Sequence, residues 1–197
     1  METYQSELLL IASRVLSYPS NANRVEVLDT VSEMDAPKDL QEKVENVIDS
    51  LYRIPLEELE EMYVSTFDLK EKVGLYLSAH EFGDSPKRGA ALIKLQKIVN
   101  EAGYERMDGE LADYIPMLFE FLAVASDNKH TERLIKRLAC VIQRIADHLP
   151  EESPYYPMVH LLMEYVFEAP TKADMEKMDV NREEADLEEL PYPIMYK

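Results

Sequence analysis

The stretch Tyr76-Leu-Ser-Ala-His-Glu-Phe-Gly-Asp-Ser-Pro-Lys-Arg-Gly-Ala-Ala-Leu92 decides how this chain is built, because it contains the end of one helix and the start of the next. Gly83 can adopt a positive φ and close the first helix, as glycine often does at a helix C-terminus. Asp84 or Ser85 can cap the second helix, and Pro86 suits its first turn. The stretch therefore predicts two helices joined by a tight turn.

The rest of the chain has the same helical character. Apolar residues recur three or four positions apart, most clearly at Leu134, Leu138, Val141, Ile142 and Ile145. Alternating Val, Ile and Thr runs are absent, and there are only 5 glycines in 197 residues. We predict an all-α fold: a single-domain bundle of roughly eight to ten helices over residues 1–170. An acidic tail, residues 171–197, is expected to be partly disordered or a frayed helix.

Two further helix starts are marked by capping residues. Asp113 is predicted to be the N-cap of a helix in which Pro116 is the third residue, where a missing N–H removes no intrahelical bond. Thr131 is predicted to cap the helix that follows. These caps set the boundaries of the helices in the second half of the chain.

The charge of the chain restricts its partners. The formal net charge is −18 and the isoelectric point is about 4.6. Nucleic acid and anionic lipid are excluded as partners because both need a basic protein surface. A basic partner, such as a positively charged peptide, remains. The N-terminus lacks a charged signal region and the apolar run at 8–12 is too short to cross a bilayer, which predicts a cytoplasmic protein without membrane insertion.

Signals of catalysis are weak. The sequence has no phosphate-binding Gly-rich loop, no Gly-x-Ser-x-Gly and no His-Glu-x-x-His. The four histidines lie on separate predicted elements. His80 and Glu81 form an acid/base pair in sequence, but neighbouring side chains on a helix point about 100° apart. A small metal-dependent hydrolase using these two residues is therefore kept only as an alternative.

Aromatic and acidic residues are interleaved around the opening stretch. The aromatics are Tyr63, Phe67, Tyr76, Phe82 and Tyr114, and the acids are Glu81, Asp84, Glu110, Asp113 and Glu120. Together they suit a basic amphipathic peptide, with the aromatics taking its apolar face and the carboxylates its charges. Spacing alone leaves a groove and a buried core equally open. Arg88 is expected to pair at the surface with Glu81 or Asp84.

Three blocks of these residues resemble a known family. They are Tyr63-x-x-x-Phe-Asp68, Leu75-Tyr-Leu-x-x-His-Glu-Phe-Gly-Asp-Ser-x-x-Arg-Gly-Ala-Ala-Leu92 and Glu110-Leu-x-Asp-Tyr-Ile-Pro-x-x-x-Glu-Phe-Leu-Ala123. The blocks span about sixty residues and are similar to the respiratory nitrate reductase assembly chaperones (the NarJ type, or delta subunit). This family belongs to a larger all-helical group of chaperones for molybdenum-cofactor oxidoreductases. Ala112 stands where the family usually has proline.

The resemblance implies a cytoplasmic helical protein that is not an enzyme and binds no cofactor stably. Such chaperones bind the apo catalytic (alpha) subunit of nitrate reductase through its basic N-terminal leader and hold it for molybdenum cofactor insertion before membrane docking. Cofactor-biosynthesis proteins are further candidate partners. The predicted peptide-binding residues are Tyr63, Phe67, Tyr76, His80, Glu81, Phe82, Asp84, Arg88, Glu110, Asp113, Tyr114, Pro116 and Glu120.

Two more alternatives stay open at this point. One is a sibling chaperone that serves another molybdenum enzyme, such as a sulfoxide or N-oxide reductase. The other is a structural adaptor with no role in folding a client. A test of which leader peptide binds distinguishes the sibling chaperone from a nitrate reductase chaperone. If a strain that lacks the protein still makes nitrate reductase with its full cofactor content, the protein is a structural adaptor.

Overall fold

The computed structural model describes residues 1–104 and 109–186 of the chain, and helices make up most of both ranges. Within these ranges the α-helices are α1 (Thr3–Val15), α2 (Asn21–Glu33), α3 (Lys38–Tyr52), α4 (Leu56–Tyr63), α5 (Leu77–Phe82), α6 (Lys87–Glu101), α7 (Ile115–Val124), α8 (Lys129–His148), α9 (Tyr156–Tyr165) and α10 (Lys172–Asp186). A π-helical turn (Val64–Asp68) extends α4, and a 3-10 turn (Glu71–Val73) follows it. The predicted all-α bundle is confirmed.

The centre of the bundle is the pair α1 and α7. Leu8 and Leu9 on α1 and Ile115 and Phe119 on α7 are completely buried. Each such side chain contributes about 2 kcal/mol when it leaves water. Helices α2 and α9 pack on α1, and α8 packs on both α7 and α9, so the apolar α7 is enclosed.

The start of α8 corrects one predicted cap. Asn128 is the N-cap, and its side-chain oxygen accepts hydrogen bonds from the N–H groups of His130 (2.8 Å) and Thr131 (3.2 Å). Thr131 is the third residue of the helix, and its hydroxyl accepts a hydrogen bond from the Asn128 N–H at 2.9 Å. The prediction that Thr131 caps α8 is therefore wrong, because asparagine satisfies the first N–H groups and threonine completes a capping box.

A short backbone bridge joins α5 to α7. The Leu77 N–H donates to the carbonyl oxygen of Asp113, and the Ile115 N–H donates to that of Leu75, both at 2.9 Å. Tyr76 therefore lies opposite Tyr114 in antiparallel pairing. This bridge brings the second and third motif blocks side by side, although Tyr76 and Tyr114 are 38 positions apart in sequence.

The last described helix, α10, packs against α5 and α8. It occupies most of the segment for which the sequence predicts an acidic tail, and residues 187–197 lie outside the described residues. The boundary at residue 170 and the fraying of the tail stay predictions. In the described ranges, no helix is both long enough and apolar enough to span a membrane.

Candidate functional site

The turn between α5 and α6 has the predicted geometry. Gly83 has φ of +53°, and its N–H donates to the Ala79 carbonyl oxygen at 3.0 Å. The hydroxyl of Ser85 accepts a hydrogen bond from the Lys87 N–H at 3.2 Å, and Pro86 directly precedes α6. The turn at Gly83 is confirmed, but the N-cap of α6 is Pro86 rather than Asp84 or Ser85, and the Ser85 hydroxyl bonds the first helical N–H from one position before the cap. Asp84 is exposed in this turn.

Asp113 has a different role from the predicted one. The N-cap of α7 is Tyr114, and Pro116 is the second residue of that helix and is buried. The Asp113 carboxylate instead accepts hydrogen bonds from the N–H of Ser78, at 3.1 Å, and from the Ser78 hydroxyl. Ser78 is in the first turn of α5, whose N–H groups lack helical partners. The prediction that Asp113 caps α7 is wrong, because its side chain stabilises the start of α5.

Arg88 also differs from its predicted pairing. Its Nε donates to the Ser78 hydroxyl at 3.3 Å, and its Nη2 lies 3.8 Å from the Asp113 carboxylate. The guanidinium lies 6.0 Å from the ring centroid of Tyr76. The expected pair with Glu81 or Asp84 is not formed, since Arg88 turns toward the buried carboxylate.

Tyr63 and Phe67 belong to the core. They are 5% and 4% exposed, their rings contact each other in a tilted arrangement, and both contact Tyr155 edge to face. The Tyr63 hydroxyl donates to the Leu16 carbonyl oxygen at 3.3 Å and lies 3.1 Å from the Tyr114 hydroxyl. Burial raises the pKa of Tyr63 above its usual range. Tyr63 and Phe67 are therefore buried core residues and do not line an open groove.

His80 and Glu81 face different partners. His80 is 1% exposed, and its Nε2 lies 2.7 Å from the Gly74 carbonyl oxygen, to which it donates. Burial lowers the pKa of His80 to about 4. Glu81 forms two hydrogen bonds of 2.6 Å with Arg137 of α8. In the two described ranges, no group of three His, Cys, Asp or Glu side chains suited to a metal is found.

Two half-buried tyrosines form a surface next to the backbone bridge. The rings of Tyr76 and Tyr114 are 5.5 Å apart, and the Tyr76 hydroxyl donates to the Glu110 carboxylate at 3.2 Å. Burial raises the pKa of Tyr76 to about 12, so the hydroxyl stays protonated at neutral pH. We call Tyr76, Glu110 and Tyr114 the tyrosine face. Glu120 lies apart from it and pairs with Arg14 of α1.

A cleft of about 820 Å³ opens at the other end of α5. We call it the α5–α8 cleft. Its apolar lining is Phe82, Ile135, Ala139, Cys140, Val166 and Met178, and its acidic lining is Glu81, Asp127, Glu132, Glu168 and Asp174. Its positive charges are Lys136, Arg137, Lys177 and the N-terminal ammonium of Met1, which pairs with Asp127, so the carboxylates exceed the cations by one. Of the predicted peptide-binding residues, only Glu81 and Phe82 lie here.

The predicted residues therefore do not line one groove. Tyr63, Phe67, His80, Asp113 and Pro116 are buried supports. Of the accessible members, Tyr76, Glu110 and Tyr114 form the tyrosine face and Glu81 and Phe82 line the cleft, at the two ends of α5. Asp84, Arg88 and Glu120 lie in neither surface. The sequence pattern did not predict the cleft residues on α8, because they lie beside the main apolar stripe of that helix. The available signal was the presence of two apolar residues outside the i, i+4 series of that stripe, Ile135 and Cys140.

A family model matches residues 33–157, which is well over half of the chain, and its description is "Nitrate reductase delta subunit". The chain belongs to the nitrate reductase delta subunit family. The range matched by the delta subunit model includes α3 to α8, with both the tyrosine face and the α8 side of the cleft. Helix α10 lies outside it.

Curated relatives agree with the delta subunit family. The chain is 27% identical to the "Probable nitrate reductase molybdenum cofactor assembly chaperone NarJ" of Bacillus subtilis, over 77% of this chain and 83% of the relative. It is 26% identical to the NarJ chaperone of Escherichia coli, over 86% of this chain and 72% of the relative. With the probable NarW chaperone of E. coli it shares 27% identity, over 70% of this chain and 59% of the relative.

Proposed function

We propose that this protein is a non-enzymatic, system-specific chaperone of nitrate reductase that binds the basic N-terminal leader of the apo catalytic subunit. It acts in the cytoplasm, holds the client for molybdenum cofactor insertion before membrane docking, and keeps no cofactor itself. The names of its relatives support assembly of nitrate reductase and its cofactor as the task. Cofactor-biosynthesis proteins are further candidate partners.

The location proposed for leader binding is supported by the two accessible surfaces at the ends of α5. Tyr76 directly precedes α5 and Phe82 is its last residue, so these two positions are about 9 Å apart along the helix axis at 1.5 Å per residue. A ten-residue amphipathic helix is about 15 Å long and reaches both. Its apolar side chains would enter the cleft, and its basic side chains would meet the carboxylates around it.

Charge reversal at the cleft tests the site. The variant Glu132→Lys/Glu168→Lys changes two exposed acids of the cleft, whereas Glu57→Lys/Glu58→Lys makes the same change on α4, outside the cleft. We expect the cleft variant to bind a synthetic leader about tenfold more weakly in calorimetry, with a smaller dependence on salt, and the α4 variant to bind much as wild type. Equal losses in both variants would place the leader elsewhere.

Specificity for nitrate reductase is tested with leaders from other enzymes. The leaders of a sulfoxide reductase and an N-oxide reductase are titrated beside that of nitrate reductase. Tightest binding of the nitrate reductase leader supports the proposed client. A preference for either other leader identifies a sibling chaperone, and a protein that binds no leader even at low salt is not a leader-binding chaperone.

A further inference from the structure

Helix α6 has an exposed side that belongs to neither the core nor the leader site. Its buried residues, Leu95 and Val99, lie on the inner side, and α6 packs chiefly on α5. At 100° per residue Ile93 lies on the opposite side, and 74% of its surface is exposed. Of the described residues that line the α5–α8 cleft, none belongs to α6. We call the outer side the α6 face, and its residues are Lys87, Gly89, Ala90, Ile93, Lys94 and Lys97.

The start of α6 departs from the local rules for a helix. Its first turn contains no acid, although the N-terminal end of a helix favours negative charge. Gly89 lies within the helix, where alanine is more stable, and a Cβ at this position would meet nothing within 4 Å. The packing of the bundle therefore does not explain the glycine. Departures of this kind are expected where a surface is used for binding.

The α6 face is positively charged in a strongly acidic protein. It carries three lysines, and Glu101, the one acid of α6, pairs with Lys97 at 3.6 Å. Both side chains of this pair are more than half exposed, so the pair is weak. The chain as a whole has a net charge of −18. At physiological ionic strength the Debye length is about 8 Å, so a partner in contact with the face is governed by these lysines rather than by distant carboxylates.

We propose that the α6 face docks an acidic surface patch of the client, in its folded part outside the leader. This inference rests on the proposed function. An exposed isoleucine beside glycine and alanine, with lysines around them, has the arrangement of a protein interface, in which polar residues surround an apolar centre. Gly89 lets the partner approach the helix backbone closely. The same lysines repel a basic leader, so the α6 face and the leader site bind different parts of one client.

The size of the face favours a local acidic patch over an extended anionic surface. Asp84 is exposed just before α6, and Glu101 is exposed at its end. The fifteen residues of α6 span about 22 Å, so a membrane or a nucleic acid laid along the helix would also meet these two carboxylates. A patch on a folded protein can contact the lysines and Ile93 alone.

Charge reversal on the α6 face gives the first test. The probe is the apo catalytic subunit of nitrate reductase made without its leader, titrated with the full chain in a calorimeter. We expect Lys94→Glu/Lys97→Glu to bind it about tenfold more weakly than wild type, with a smaller dependence on salt. Lys38→Glu/Arg53→Glu makes the same charge change at exposed positions of α3, which packs on α2 and α9, and should bind much as wild type. Equal losses in both variants would overturn the proposal.

The apolar centre of the α6 face is tested without a change of charge. Ile93→Ser should lower the affinity for the leaderless subunit about fivefold, because the isoleucine becomes buried in the complex. Val25→Ser changes a side chain of α2 that is 59% exposed and should leave the affinity unchanged. Equal affinities of the two variants would contradict an apolar contact at Ile93 and overturn the proposal.

The synthetic leader separates failure of the α6 face from failure of the proposed function. The variants of Ile93, Lys94 and Lys97 should bind the leader as wild type does. If wild type binds the leader but not the leaderless subunit, the α6 face is overturned and the leader site stands. If wild type binds neither, both proposals fail. Binding of the leaderless subunit alone would support the α6 face and contradict the leader site.

Two further measurements identify any other occupant of the α6 face. Sedimentation should give the same mass for wild type and for Lys94→Glu/Lys97→Glu, and neither should bind vesicles of phosphatidylcholine with phosphatidylglycerol. A dimer that this variant loses would identify a second copy of the chain as the occupant. Vesicle binding that the variant loses would identify a membrane. Either result would overturn the proposed partner.

Discussion

The carboxylate of Asp113 accepts a hydrogen bond from the backbone N–H of Ser78 at 3.1 Å, across 35 positions of sequence. It caps α5 from outside, and the adjacent backbone bridge holds the same two segments together. Because α5 is only six residues long, its own hydrogen bonds stabilise it poorly. The Asp113 contact therefore fixes the helix whose ends carry both candidate binding surfaces.

Replacement of Asp113 should be costly. Asp113→Ala removes the cap of α5 and leaves the Ser78 N–H buried without its partner, which we expect to lower the free energy of unfolding by about 3 kcal/mol. Urea denaturation measures the change. Asp84→Ala is the control, since this exposed carboxylate should contribute less than about 0.5 kcal/mol. Similar losses in the two variants would mean that the contact with Ser78 is unimportant.

His80 should make stability depend on pH. Burial lowers the pKa of the folded His80 to about 4, below its ordinary value of 6.5. Between these values the unfolded chain binds the additional proton, so the free energy of unfolding falls as the pH falls from about 6.5 to about 4. At about 1.4 kcal/mol per pH unit, the loss reaches about 3 kcal/mol. From about pH 7.5 upward His80 is almost entirely neutral in both states and makes no pH-dependent contribution.

The variant His80→Gln isolates this effect from the many carboxylates of the chain. Glutamine can still donate to the Gly74 carbonyl oxygen but does not titrate. Urea denaturation at several pH values between 7 and 4 should show a shallower loss of stability for the variant than for wild type. If the free energy of unfolding depends on pH equally in the variant and in wild type, the fold does not hold His80 in its neutral form.

Local rules predicted the helices and the turn at Gly83, because periodicity, glycine and proline act within a few residues. They failed where a side chain satisfies a distant element. Nothing near Asp113 in sequence distinguishes a cap for α7 from a cap for α5, and Arg88 has acidic neighbours on both sides in sequence but turns to Asp113. The cleft depends on how α8 and α10 meet, which the sequence pattern of either helix does not contain.

Gly83 and Gly89 differ in backbone conformation, so replacement by alanine should change the free energy of unfolding in opposite directions at the two positions. Gly83 has φ of +53° and ψ of −134°, which residues other than glycine rarely adopt, so Gly83→Ala should lower the free energy of unfolding by about 1–3 kcal/mol. Gly89 lies in α6, and an added Cβ there meets nothing within 4 Å, so Gly89→Ala should raise it by about 0.5–1 kcal/mol. Thermal and urea denaturation of both variants check the signs. Stabilisation by alanine at position 83 would contradict the positive φ.

The pair Glu81–Arg137 should link α5 to α8 at the floor of the cleft. The two hydrogen bonds are 2.6 Å long, and the Glu81 side chain is only 14% exposed. A double-mutant cycle with Glu81→Gln and Arg137→Gln should give a coupling of about 1–2 kcal/mol in the free energy of unfolding. The exposed pair Lys97–Glu101, at 3.6 Å, is the control and should give about 0.3 kcal/mol. Equal coupling in both pairs would show that the fork geometry adds nothing.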